Sequence, residues 1–157
     1  MNRIAILVDV QNVYYTTRDT FGRQFDYRKL YQELSEAGEV VYAFAYATDR
    51  NDAGQRKFQA ALRQIGFEVK LKPYIQRRDG SAKGDWDVGI TIDALEIAQE
   101  VDTVVLLSGD GDFDLLLRKL REGYGVRSEV HGVENLTAQS LIDAADTFRP
   151  MNRNDLL

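Results

Sequence analysis

Residues 4–10, Ile-Ala-Ile-Leu-Val-Asp-Val, carry no alternation of apolar and polar side chains; Asp9 alone interrupts them. A strand with one wet face alternates with period two, so a strand apolar at consecutive positions must be covered on both sides. That requires a parallel sheet between two layers of helices, and the rest of the chain is patterned to supply them. Residues 27–37 place Leu30, Tyr31 and Leu34 at helical spacing before Gly38, and residues 40–47 read as a second strand. A short amphipathic helix over 56–65 stops at Gly66, and residues 67–75 alternate as a third strand. Residues 76–84 are polar and glycine-containing, the pattern of a loop. A helix over 86–98 is expected to bury a stripe of Val88, Ile92 and Leu95; strand 101–107, helix 113–122, strand 125–130 and helix 138–145 follow.

Strands that alternate with helices form βαβ units with parallel pairing and right-handed crossovers. The expected fold is an α/β, open, doubly wound parallel sheet of about five to six strands with helices on both faces. Its 157 residues, 44% hydrophobic, suit one domain over 1–157. No stretch approaches the ~20 apolar residues of a membrane span, so a soluble cytoplasmic protein is expected.

Composition narrows the chemistry. Cysteine is absent and His131 is the one histidine, which excludes thiolate and histidine-rich metal sites as well as cysteine nucleophiles. Any metal must take oxygen ligands, which favours hard cations such as Mg²⁺ or Mn²⁺. The net charge of −5 argues against coating nucleic acid with broad positive surface, though not against an enzyme that meets it at one small site.

Open α/β sheets bind ligands beyond the carboxyl ends of their strands, where the strand order reverses. If the order is 3-2-1-4-5, the end of the first strand, with Asp9, lies beside the end of strand 101–107, with Ser108-Gly109-Asp110-Gly111-Asp112. Asp87, at the start of the preceding helix, shares a helix face with Thr91 and Ala94 and can point away from the core. Asp93 falls about 240° further round at ~100° per residue and ranks lower. Carboxylates so crowded repel one another unless protonated or neutralised. Divalent metal is the economical answer, and a pair of such ions suits phosphodiester hydrolysis.

Three blocks then carry a family likeness: Asp9-Val10-Gln11-Asn12; Lys83-Gly84 with Asp87 and Asp93 downstream; and Leu107-Ser108-Gly109-Asp110-Gly111-Asp112-Phe113. Together with the ending Leu-Ile-Asp-Ala-Ala-Asp-Thr-Phe over 141–148, they resemble the NYN domain family over nearly the whole chain. The resemblance implies a PIN-like fold and a metal-dependent ribonuclease, with Asp9, Asp87, Asp110 and Asp112 as catalytic metal ligands, Asn12 beside them, and RNA as substrate. One extra residue separates Lys83-Gly84 from Asp87, which leaves the role of Lys83 open.

Several residues have an alternative reading. Asp110, Asp112 and Asp114 precede or begin a helix, where aspartate caps the end or complements the dipole. Asn12 suits a helix cap as well as a role in ordering water or metal. Ser108 can bond a carboxylate or phosphate, or only backbone. Arg77, Arg78 and Lys83 can hold a phosphate backbone or be solvated. Tyr14, Tyr15 and Trp86 can stack on bases, although aromatic residues are more often buried. His131 reads as structural. An EF-hand is excluded because Leu115 and Arg121 stand where glycine and glutamate are needed. The rival from another class is a non-cleaving module of the same fold that binds RNA or protein; self-association through an exposed helix face is compatible with either.

Overall fold

The computed structural model describes residues 1–49, 52–73, 75–76, 82–83 and 85–157. Among these residues are eight strands: β1 (Arg3–Asp9), β2 (Glu39–Asp49), β3 (Glu68–Pro73), β4 (Ile75–Gln76), β5 (Ala82–Lys83), β6 (Thr103–Leu107), β7 (Arg127–Gly132) and β8 (Thr147–Pro150). The helices are α1 (Val10–Phe21), α2 (Tyr27–Ala37), α3 (Ala53–Ile65), α4 (Asp87–Ile97), α5 (Asp114–Tyr124) and α6 (Gln139–Ala144). Six strands form one parallel sheet in the order β3-β2-β1-β6-β7-β8, so the expected reversal of strand order falls between β1 and β6.

The apolar run of β1 is divided between the two faces by the period of two. Ile4, Ile6 and Val8 enter one core with Val13 of α1, Leu30 and Leu34 of α2 and Leu62 of α3. Ala5 and Leu7 enter the other with Ile90 and Ala94 of α4, Leu117 and Leu120 of α5 and Leu141 of α6. Strand β6 does the same, Val105 and Leu107 on the first side, Val104 and Leu106 on the second. The two neighbouring strands are therefore clamped from both faces, which holds their carboxyl ends in register.

The structure departs from the sequence expectations in four places. First, α1 fills the segment after Asp9, whose spacing predicts no helix span: Val10, Val13 and Thr17 give it only a narrow buried stripe. Second, α4 turns its other side inward. Ile90, Ala94 and Ile97 are buried, whereas Val88 is 71% and Ile92 54% exposed; of the expected stripe only Leu95 packs, half-buried, against the core. The helix carries two apolar stripes on opposite sides, with Asp87, Thr91, Asp93 and Glu96 between them, so spacing alone does not select a face. Third, the expected loop over 76–84 contains a short antiparallel pairing, Ile75 with Lys83 and Gln76 with Ala82. Fourth, residues 147–150, for which no strand is expected, form β8 and bring the sheet to six strands, within the expected five to six.

At that edge His131 Nε2 lies 2.9 Å from Glu129 Oε2, and Arg149 Nε donates to Glu129 Oε1 at 2.9 Å. His131 thus has a structural partner, and it also lines a groove of about 500 Å³ between α2 and β7–β8. The His131 and Arg149 contacts outweigh burial and hold the Glu129 carboxyl below its ordinary value of 4.5. A depressed folded-state pKa contributes stability above the unfolded value and loses it as pH falls through the folded one. In acid titrations followed by thermal unfolding, Glu129→Gln is expected to flatten the loss of stability below about pH 4.5; an unchanged slope would remove Glu129 from the account.

Candidate metal centre

Three helical beginnings meet at the β1/β6 switch. Asp9 ends β1 and is the N-terminal boundary residue of α1; Asp87 opens α4; Asp110 and Asp112 flank the start of a 3₁₀ turn over Gly111–Phe113 that leads directly into α5. Helix N-termini present unpaired amides and a positive dipole end, which favours negative charge there.

Oxygen atoms of Asp87, Asp110 and Asp112 lie within 4.8 Å of one another, the one such acidic trio among the described residues. Asp9 lies beneath them, 8% exposed, and accepts a hydrogen bond from Ser108 Oγ at 3.0 Å. The same Ser108 oxygen accepts from the Asp110 backbone N–H at 3.2 Å, so one buried hydroxyl joins the two strand ends. Asn12 does likewise from α1: its Oδ1 accepts from the Gly109 N–H at 2.9 Å. Asn12 is therefore no helix cap. It stands in the first turn of α1 and ties that helix to the loop after β6.

The two glycines of Ser108-Gly109-Asp110-Gly111-Asp112 answer to packing. A Cβ on Gly109 would lie 2.5 Å from the Leu136 carbonyl oxygen, and one on Gly111 2.9 Å from the Ala138 Cβ. The 136–138 segment packs so closely on this loop that only glycine fits at the two positions; Ala138 N–H donates to the Gly109 carbonyl at 3.0 Å.

The electrostatics follow from burial and crowding. Desolvation raises the Asp9 carboxyl to about 6, against the opposing help of Ser108 and the Asn12 backbone, with Asp110 and Asp85 adding repulsion. Asp87 is pushed up to about 7, first by desolvation and then by Asp110, Asp9 and Asp85. The donor set is hard, all-oxygen and starved of positive charge, which fits a divalent cation of the Mg²⁺ or Mn²⁺ kind.

Other candidates are placed elsewhere. Asp93 accepts from Tyr46 Oη at 2.8 Å and Lys70 Nζ at 2.7 Å, a half-buried ion pair outside the trio. Asp114 occupies the first turn of α5, one residue past the turn that carries Asp112. Arg77 and Arg78 lie outside the described residues; the Lys83 backbone pairs with Ile75 in the β4–β5 ribbon. Trp86 is built into the fold: Nε1 donates to the Ala47 carbonyl at 2.8 Å, and the ring packs on Tyr46 at 5.3 Å and covers Gly89. It fastens the start of α4 to β2 and so aims Asp87.

Asp85 was missed. It is exposed, adds to the repulsion on Asp9 and Asp87, and its carbonyl accepts from Lys72 Nζ. The acid-aromatic-acid order Asp85-Trp86-Asp87 was its only signal.

The NYN domain profile matches residues 3–152. The chain belongs to the NYN domain family. This is a PIN-like nuclease family whose members use divalent metal and generally bind RNA, and the acidic trio is present here. A protein of unknown function from Vibrio parahaemolyticus, known from a crystal structure, is 56% identical and superimposes with a TM-score of 0.94 over 99% of this chain and 96% of its own. The low amplitude and bright protein LabA of Synechococcus elongatus is 28% identical over 96% of this chain and 84% of its own length. An uncharacterised protein of Methanocaldococcus jannaschii is 31% identical over 92% of this chain, which spans 53% of that relative. None of these names states an activity. No helix among the described residues is long and apolar enough to cross a membrane.

A carboxyl whose folded pKa lies above its unfolded value of 3.8 favours the protonated protein, so the ionised Asp87 opposes folding above about pH 7 and not below 3.8. Asp87→Asn is therefore expected to raise Tm at pH 8 in chelator by roughly 3 °C, about 1 kcal/mol once solvent screening of this half-exposed group is allowed for. Saturating Mg²⁺ should reverse the order of the two proteins in the same scan. A variant no more stable than wild type in chelator would mean that the trio is not under strain.

Proposed function

We propose that this NYN domain is a nuclease dependent on Mg²⁺ or Mn²⁺ that hydrolyses RNA phosphodiester bonds. The observation that carries the reading is the meeting of Asp87, Asp110 and Asp112 from two separate segments, with Asp9 held beneath them at the strand switch. Asp9, Asp87, Asp110 and Asp112 would hold the metal. When bound, it supplies positive charge for a phosphate gaining negative charge and acidifies water at neutral pH.

The protein's own groups prepare that site. The Ser108 hydroxyl holds Asp9 in one orientation and the Asp110 amide at a set distance. Asn12 locks the loop carrying Asp110 to the first turn of α1, so the acids from β1 and β6 cannot drift apart. The Trp86 anchor does the same for Asp87. The N-terminal dipole ends of α1 and α4 favour negative charge at this crevice. No side chain is required as nucleophile. RNA is preferred over DNA on the strength of the family alone, and a non-cleaving RNA- or protein-binding module remains the rival outcome.

Purified protein incubated with labelled single-stranded RNA is expected to cleave it with Mn²⁺ or Mg²⁺ and not in chelator. Asp9→Asn and Asp110→Asn should each lower the rate about a hundredfold or more, the scale set by losing one group that stabilises developing charge. Ser108→Ala should weaken metal binding, read by calorimetry, by about tenfold, as loss of a ligand-orienting partner does. Equal cleavage by wild type and aspartate variants would sink the enzyme; Asp9-dependent metal binding without cleavage of any nucleic acid would favour the rival.

A further inference from the structure

Of the aromatic residues singled out in the sequence, Trp86 is consumed by the fold, whereas Tyr14 is 46% and Tyr15 36% exposed. Among the described residues only Tyr124 is a comparably exposed aromatic. The two rings stand edge to face, 5.4 Å between centroids at 69°, and the Arg18 guanidinium lies 5.4 Å from the Tyr14 ring and 4.9 Å from the Tyr15 ring. The core-facing side of α1 is Val10, Val13 and Thr17, so this cluster occupies its outer side.

Position gives the cluster its meaning. Tyr15 follows Asn12 by three residues, about 60° round the helix and about 4.5 Å along its axis; Arg18 lies a further turn along and about 60° further round, and Tyr14, against Arg18, takes the flank of α1 turned away from Asn12. Asn12 itself is hydrogen-bonded to the loop that bears Asp110. Stacked nucleotides advance about 3.4 Å each along a strand, so a strand that runs from the acidic crevice along the outer side of α1 would meet Tyr15 first and Arg18 and Tyr14 after it. We propose that Tyr14, Tyr15 and Arg18 form a subsite for single-stranded nucleic acid, the tyrosines stacking on unpaired bases and Arg18 holding a backbone phosphate. The proposal rests on the nuclease reading and adds to it a strand preference and the residues responsible.

The chemistry suits this occupant. Every base offers a π-face, which a tyrosine can use only when the base is unpaired, so such platforms select single strands with little regard to sequence. The crevice is acidic and the whole chain carries −5, so a substrate phosphate needs local positive charge. Arg18 supplies it beside the rings. Its partner is Asp19, Nη2 to Oδ1 at 3.1 Å with both side chains more than half exposed. An exposed pair of that kind is weak and yields to a phosphate.

The test is fluorescence anisotropy of the full chain in chelator, with a labelled single-stranded oligouridine and a fully paired duplex of equal length as probes. Tyr14→Ala/Tyr15→Ala is expected to lose roughly tenfold or more in single-strand affinity and to leave duplex affinity unchanged. Tyr14→Phe/Tyr15→Phe keeps the rings and should bind like wild type, which separates stacking from hydroxyl contacts. Arg18→Ala should reduce the slope of log affinity against log salt by about one. Thermal unfolding of each variant, unchanged for surface residues, guards against misfolding. If wild type cleaves RNA yet the alanine double variant binds the single strand as well as wild type, or if wild type prefers the duplex, the subsite is overturned and the nuclease stands. If wild type neither binds nor cleaves either probe, with or without Mn²⁺, both fall together.

Discussion

The parallel pairing of β1 with β6 is the constraint on which the rest of this molecule depends. Val8 stands opposite Leu107, and both lie in a core packed from two sides. Beyond that last pair the chains separate, one into α1 and the other into the loop that becomes α5. Polar side chains can occupy the gap because no further strand closes it. Ser108 and Asn12 then span it, each bonding a group from the opposite strand end. A loss of packing in either core would be felt at the acids, because the same two strands carry both.

Crowded carboxylates are a cost that the fold carries locally. Asp9 and Asp87 are raised well above ordinary aspartate values by burial and by one another's neighbours. The helix N-termini and the Ser108 hydroxyl offset part of the repulsion, and no lysine or arginine is bonded to the trio among the hydrogen bonds and ion pairs of the described residues. Asp93 shows the contrast: on the same helix, it is satisfied by Tyr46 and Lys70. Like residue types on one element thus divide between a neutralised structural pair and an uncompensated cluster, and it is the second that calls for a cation.

Much of this was legible before any coordinates. The apolar stretch at 4–10 demanded cover on both faces, and Asp9 within it had no structural reason to be acidic. The acids after residues 101–107 followed from where α/β sheets place their ligands. The face of α4 was not legible, because Val88, Ile92 and Leu95 satisfy helical spacing as well as Ile90, Ala94 and Ile97 do, and two opposite apolar stripes give no direction. Nor was α1: its polar, aromatic sequence has a weak apolar stripe, and its place is set by the β1 end and by Asn12. The motif glycines were equally opaque, since only the approach of the 136–138 segment explains them.

The sequence by itself thus determined the class of sheet, the element types along most of its length and the chemical hardness of any metal site, because periodicity and donor type are local properties. The tertiary structure alone decided which acids touch. Asp87, Asp110 and Asp112 come within one small sphere while Asp93 is turned to Lys70, and Asp85 joins the field from an exposed position. Trp86 packs against the second core while Tyr14 and Tyr15 keep 46% and 36% of their surface exposed, for the same reason. Burial is a property of what packs opposite a side chain, and no window of sequence contains that neighbour.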